Sequence, residues 1–248
     1  MLVKTKGIVL KETPYSETSK VLNVLTSDYG LIGILSKGCK NMKSKLRGIS
    51  NKMVYAEFTI KYKETGLSTL TEGNYINSFK NIFNDIKKAN YSFYLMDLVY
   101  QIVSENNNKN LFPLLEQGLI KINDGLSPEL ISNIIELKLL KYLGVNLNLS
   151  NCVLCNSPDI FNLDIDNGGV ICKNCYHEGY VFNNKTIKLL SLMEQLDLSK
   201  ITNLEITDES VFMEVNDFLH EYYSTYTGLY LHDKKKFNKM FWLIFDNI

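Results

Sequence analysis

Met53-Val54-Tyr55-Ala56-Glu57-Phe58-Thr59-Ile60-Lys61-Tyr62 alternates from Val54 onward, with Val54, Ala56, Phe58, Ile60 and Tyr62 on one face and Tyr55, Glu57, Thr59 and Lys61 on the other. That is the period of a strand with one buried face. Four further β-prone runs surround it, at residues 2–10, 20–26, 31–36 and 67–79. Turn signals separate them: Thr13-Pro14, Asp28-Tyr29-Gly30, a long loop over 38–51, and Thr65-Gly66. Five short strands in about 80 residues suit a small closed barrel, and the pattern fits an SH3-like barrel or a sandwich as well.

After Phe79 the period changes to that of helices, over 81–106, 109–124 and 127–143. The third has Ser127 as N-cap, Pro128 at the first helical position and Gly144 just past its end. Its Leu130, Ile131, Ile134, Ile135, Leu137 and Leu139 cover more than one stripe, which predicts a buried helix. A cysteine-containing segment at 150–182 interrupts the helices. They resume over 184–197 and 208–226, where Val211, Phe212, Val215, Phe218, Leu219 and Tyr222 form an apolar face, and again near 234–245. The expectation is a multidomain α+β protein: a β-barrel over 1–80, helical segments over 81–149 and 183–248 sharing one core, and a metal-binding insertion over 150–182.

The chain has 248 residues, 45% apolar and 22% charged, the composition of an ordinary globular protein. No apolar run approaches the roughly 18–20 residues that span a bilayer. Lys4 and Lys6 interrupt the N-terminal apolar stretch, unlike a secretory signal, so the expected location is the cytoplasm. Five cysteines fit that compartment. Four of them form Cys152-x2-Cys155 and Cys172-x2-Cys175, which together can converge on one ion in a tetrahedral shell. The expected occupant is a single Zn2+, with an iron–sulfur or dithiol site as the alternative. Four thiolates leave no open coordination position, so the ion would be structural. A zinc deaminase would place His-x-Glu ahead of its cysteine pair, whereas here His177-Glu178 follows. Cys39 is left over as an inert thiol.

The formal net charge of zero hides an asymmetry. Residues 1–80 carry 13 Lys+Arg against 6 Asp+Glu, and residues 81–248 carry 14 against 21. No acid lies between Asp28 and Glu57, where Lys37, Lys40, Lys43, Lys45, Arg47 and Lys52 fall. A loop of cations among small, flexible residues can follow a sugar–phosphate backbone. Tyr15, Tyr29 and Tyr55 are candidates to stack on bases. A second cluster, Lys234, Lys235 and Lys236, follows Asp233 at the start of the last helical stretch. The helix dipole disfavours cations there, which makes the cluster a candidate phosphate contact. The three histidines are far apart and no nucleophile elbow, P-loop or dinucleotide fingerprint occurs, so an enzyme is not expected. A zinc-containing interaction adaptor or a DNA-binding regulator is the competing class.

The chain resembles the RecO family of bacterial recombination mediators. The resemblance rests on Gly7-Ile8-Val9-Leu10, Tyr15-Ser16-Glu17-Thr18, Leu25-Thr26-Ser27-Asp28-Tyr29-Gly30, Lys37-Gly38 and Lys43-Ser44-Lys45-Leu46-Arg47-Gly48. It continues in Leu139-Leu140-Lys141-Tyr142-Leu143-Gly144-Val145, followed shortly by the first cysteine pair, and departs near His232-Asp233. It implies an N-terminal OB-fold, a helical domain and an inserted zinc module. It also implies a role in the RecFOR pathway of DNA repair: binding single- and double-stranded DNA, annealing complementary strands and, with RecR, helping to load RecA onto strands coated by single-strand-binding protein.

Overall fold

The computed structural model describes residues 1–204, 206 and 208–229. The chain packs as two compact units, one holding Met1–Gly125 and the other beginning at Leu126.

In the first unit, β1 (Leu2–Pro14), β2 (Lys20–Thr26), β3 (Gly30–Ser36), β4 (Tyr55–Lys61) and β5 (Ser68–Asn77) close into a barrel in the order β1-β2-β3-β5-β4. β3 and β5 pair in parallel, and β1 returns antiparallel to β4. This order, with closure through β3–β5, is OB-like and decides against the SH3-like and sandwich readings. The alternation seen in the sequence builds the core: Ala56, Phe58 and Ile60 of β4 meet Val9, Leu22, Val24, Ile34 and Leu70. β1 departs from alternation at Ile8-Val9-Leu10, all buried, because both of its faces are covered. Val9 points into the barrel, and the helical layer packs on the other side. A register shift between Val9 and Lys11 lets β1 continue to Pro14, beyond the expected end.

That layer comprises α1 (Lys80–Phe83), α2 (Ile86–Asn106) and α3 (Leu111–Asn123). The single helix expected over 81–106 breaks at Asn84-Asp85. The Asp85 carboxylate accepts from the backbone N–H of Lys87 and Lys88, at 2.9 and 3.1 Å, and starts a new helix. At the far end Asn107 takes a left-handed conformation, and its side-chain oxygen accepts from the Leu31 N–H at 2.6 Å. Gly30 sits beneath that side chain at φ +67°, where a Cβ would suffer both clash and strain.

In the second unit α4 (Pro128–Leu139) is capped by Ser127, runs on as a 3-10 turn over Leu140–Leu143 and stops at left-handed Gly144, as its sequence signals predict. It packs against α5 (Asn184–Gln195) and α6 (Glu209–Tyr226) around Ile131, Ile134, Ile135, Leu190, Val215 and Phe218. The cysteine segment lies between α4 and α5 and carries the hairpin of β6 (Asn162–Asp164) and β7 (Gly169–Ile171). The Tyr226 hydroxyl donates to the carbonyls of Ile165 and Asp166 at 2.7 Å, tying that hairpin to α6. Among the described residues no helix is long and apolar enough to cross a membrane.

Candidate nucleic-acid interface and metal centre

The basic loop between β3 and β4 is a built platform. Three successive turns wind it, through Asn41 N–H to Gly38 O, Ser44 N–H to Asn41 O and Arg47 N–H to Ser44 O, at 3.0–3.2 Å. A 3-10 turn over Gly48–Ser50 then drops Ile49 into the barrel core, with Leu46 packed against it. The buried Ser50 hydroxyl donates to Leu46 O at 2.7 Å and meets the Ser36 hydroxyl at 2.8 Å. At its start the loop is held to the β1–β2 turn by Gly38 N–H to Ser19 Oγ (3.2 Å) and Lys40 N–H to Thr18 O (2.9 Å). Cys39 is buried in this anchor. Lys37, Lys43, Lys45 and Arg47 remain exposed. An anchored loop pays less ordering entropy when it binds than a free one, so the flexibility expected from its small residues is not how these cations are presented.

Other expected contacts fall differently. Lys40 is half-buried and donates to Ser16 O at 2.8 Å, keeping protons for a second partner. Lys52 turns inward: its Nζ is 2.9 Å from Asp97 Oδ1 and 5.0 Å from the Phe93 ring centroid, so its charge is neutralised within the fold. Tyr15 is exposed in the β1–β2 turn beside the loop. Tyr29 stacks on Tyr62 with centroids 4.3 Å apart, at the opposite end of β2 and β3. Seven strand residues, about 20 Å, separate it from the loop. Tyr55 is a correction. It is only 2% exposed, its ring lies 6.3 Å from Phe79 and 6.2 Å from Phe112, and its hydroxyl donates to the Glu116 carboxylate. Burial, then that bond and the carboxylate's charge, push its pKa far up. No base can reach it, because Phe112 and Glu116 of α3 cover a ring that alternation assigned to solvent. Lys234, Lys235 and Lys236 lie outside the described residues.

The end of β5 and the short α1 leave two further aromatic rings uncovered. Tyr75 and Phe83 are 54% and 53% exposed, and both line a pocket next to the basic loop. No local signal marks them: Gly48 lies under the Tyr75 hydroxyl, a contact that exists only once the barrel has closed.

In the second unit the Sγ atoms of Cys152, Cys155, Cys172 and Cys175 all lie within 4.8 Å of one another, and Cys155 and Cys172 are 3.6 Å apart. A tetrahedral site with metal–sulfur bonds of about 2.3 Å has sulfur–sulfur edges of about 3.8 Å, so this donor set fits a thiophilic ion. The knuckles are shaped by local bonds: Asn156 N–H to Cys152 O (2.8 Å), with Asn156 left-handed at φ 61°, and Cys175 N–H to Cys172 O (3.1 Å). Val153 N–H to Val170 O (2.9 Å) ties the first knuckle to β7. Burial works against the Cys152 thiolate, but the backbone N–H groups of Cys172, Cys155 and Leu154 outweigh it and bring that thiol down. Hydrogen bonds to Cys155 and Cys172, then burial, push Cys175 up. Four sulfurs this close cannot all lose their protons without a cation among them.

The same unit holds a cleft of about 990 Å3 lined by Asp164, Asp166, Glu178, Glu214, Asp217 and Glu221, with no lysine or arginine among its lining residues. Its charge has the wrong sign for a phosphate backbone.

Two family models match the chain: Recombination protein O N terminal over residues 1–79, and Recombination protein O C terminal over residues 84–235. Among curated proteins it is similar to DNA repair protein RecO of Bacillus pumilus, 35% identical over 97% of this chain and 95% of the relative. It is likewise similar to DNA repair protein RecO of Bacillus subtilis, at 33% with the same coverage. A third relative, DNA repair protein RecO of Caldicellulosiruptor bescii, is 35% identical over 83% of this chain and 85% of its own length.

Proposed function

The chain belongs to the RecO family of DNA repair proteins, recombination mediators rather than enzymes, and from that premise we propose how it handles DNA. The barrel domain over 1–80 binds single- and double-stranded DNA through the anchored loop. Lys37, Lys43, Lys45 and Arg47 meet phosphates, Lys40 contributes from its half-buried place, and Tyr15 stands beside them. Holding two strands on such a platform screens their mutual repulsion and lets complementary bases pair. The protein thus anneals strands and, with RecR, helps RecA replace single-strand-binding protein, in the cytoplasm. One observation carries the reading: four exposed cations on a loop pinned into an OB-like barrel, with no acid between Asp28 and Glu57.

The second unit, which begins at Leu126 and carries the insertion 150–182, then meets protein partners, while the helices up to Asn123 belong with the barrel. The acid-lined cleft supports a protein rather than a DNA contact there. The cysteine quartet holds one structural Zn2+. The lysines at 234–236 are a second DNA contact in this proposal. Filter binding with single strands and duplexes tests the reading: wild type retains both at moderate salt, the loop variant neither. Retention unchanged by loop substitution would favour the adaptor reading.

A further inference from the structure

The pocket beside the basic loop has a volume of about 260 Å3 and is lined by Gly48, Lys52, Met53, Val54, Tyr75 and Phe83, together with Asn51 and Ser78. Two aromatic rings form its walls. Tyr75 projects from β5 over Gly48, whose missing side chain leaves room for the phenol. Phe83 ends α1 and is braced edge-on by Phe93 at 6.4 Å. The Lys52 Nζ sits above that same Phe93 ring and is paired with Asp97. The pocket's own cation is therefore neutralised and its interior is mainly apolar. Free charge is close by in the chain: exposed Arg47 immediately precedes Gly48, and exposed Lys45 comes two residues before Arg47.

Half-exposed rings around a slot, with exposed cations in the same loop that supplies Gly48 and no acid in that loop, match a flat aromatic group attached to an anion. We infer that this pocket takes an unpaired nucleobase of single-stranded DNA against Tyr75 and Phe83, while Arg47 and Lys45 hold the flanking phosphates. The inference rests on the DNA-binding reading above and adds to it a physical basis for preferring single strands over duplexes. A paired base has both faces stacked and cannot enter. Stacking of this kind tolerates any base, so no sequence preference follows.

The test compares a short single-stranded oligonucleotide with one of equal length in which every base is replaced by an abasic site, so that the phosphate charge is unchanged. Wild type should bind the abasic strand about tenfold more weakly. Tyr75→Ala with Phe83→Ala should lower affinity for the normal strand to that of the abasic one and leave the slope of affinity against salt unchanged, because that slope counts phosphates. Tyr75→Phe, which keeps the ring, should behave as wild type. A 2-aminopurine placed in the strand should be quenched on binding by wild type and not by the double variant. Both rings are half exposed, and thermal melting of the variants shows whether the fold is intact. Equal affinity of wild type for the two strands overturns the inference while leaving the DNA-binding reading standing. So does a preference for the base-bearing strand that survives the double substitution, or a pocket that proves to hold an acidic aromatic peptide with no base dependence. If neither strand binds wild type, the DNA-binding reading fails and this inference fails with it.

Discussion

Replacing Lys43, Lys45 and Arg47 together by alanine should flatten the salt dependence of single-strand binding, by an amount the structure allows to be worked out. Each phosphate contact on single-stranded DNA contributes about −0.7 to the slope of log affinity against log salt. Lys37, Lys43, Lys45 and Arg47 are exposed, and Lys40 keeps protons beyond its bond to Ser16 O. Four or five contacts give a slope of about −2.8 to −3.5 for wild type. The full run of six cations would give more, but Lys52 is held by Asp97. Between 50 and 200 mM salt wild type should then lose about 50- to 130-fold in affinity, and the triple variant only about 3- to 7-fold. Fluorescence anisotropy with a labelled single strand across that range reads both slopes. Lys52→Ala is the internal control: it should cost under about 1 kcal/mol of stability, as a partly exposed ion pair does, and leave the slope alone. The reasoning is refuted if the triple variant keeps the wild-type slope, or if Lys52→Ala lowers it by as much as a phosphate contact would.

Tyr55→Phe should lower stability by about 1–2 kcal/mol, because the Glu116 carboxylate loses its donor, without changing DNA affinity; a loss of binding at unchanged stability would restore Tyr55 to the interface. The protein should carry one Zn2+, and Co2+ in its place should show thiolate-to-metal charge transfer. Chelation or Cys172→Ser should abolish that signal and increase hydrogen exchange over 150–182 while the barrel stays protected. The Asp28 carboxyl is held below its ordinary pKa by bonds from the Thr5 and Ser27 hydroxyls. Its contribution is therefore present above the unfolded-state value and lost as pH falls through the folded one. Asp28→Asn should be slightly less stable than wild type at neutral pH, by well under 1 kcal/mol for so exposed a group, and equal to it in acid; urea melts at the two pH values decide.

Features that depend on neighbours in the chain were legible. The alternation of β4 predicted Ala56, Phe58 and Ile60 inside, and Ser127, Pro128 and Gly144 bounded α4 as found. The paired CxxC knuckles announced a four-sulfur cluster before any coordinate placed them together. What escaped depends on residues far along the chain. Nothing local to Tyr55 says that Phe112 and Glu116 will cover it, and nothing near Lys52 says that Asp97 will neutralise it. The basic loop looked flexible because its glycines, serines and asparagines are turn formers. Its anchors, Ile49 in the core and Ser50 against Ser36, appear only once the barrel is closed. Asp85 is the exception, a missed signal that was local: an N-cap residue inside an otherwise continuous helical run.

The most direct test of the loop's role is annealing itself. Two complementary labelled strands, each coated with single-strand-binding protein, are mixed with metal-loaded wild type or with the Lys43, Lys45 and Arg47 triple variant at equal concentration. Wild type should accelerate duplex formation well above the rate without protein, and the variant should leave it near that baseline with its melting temperature unchanged. A correctly folded variant that anneals as fast as wild type would contradict the account.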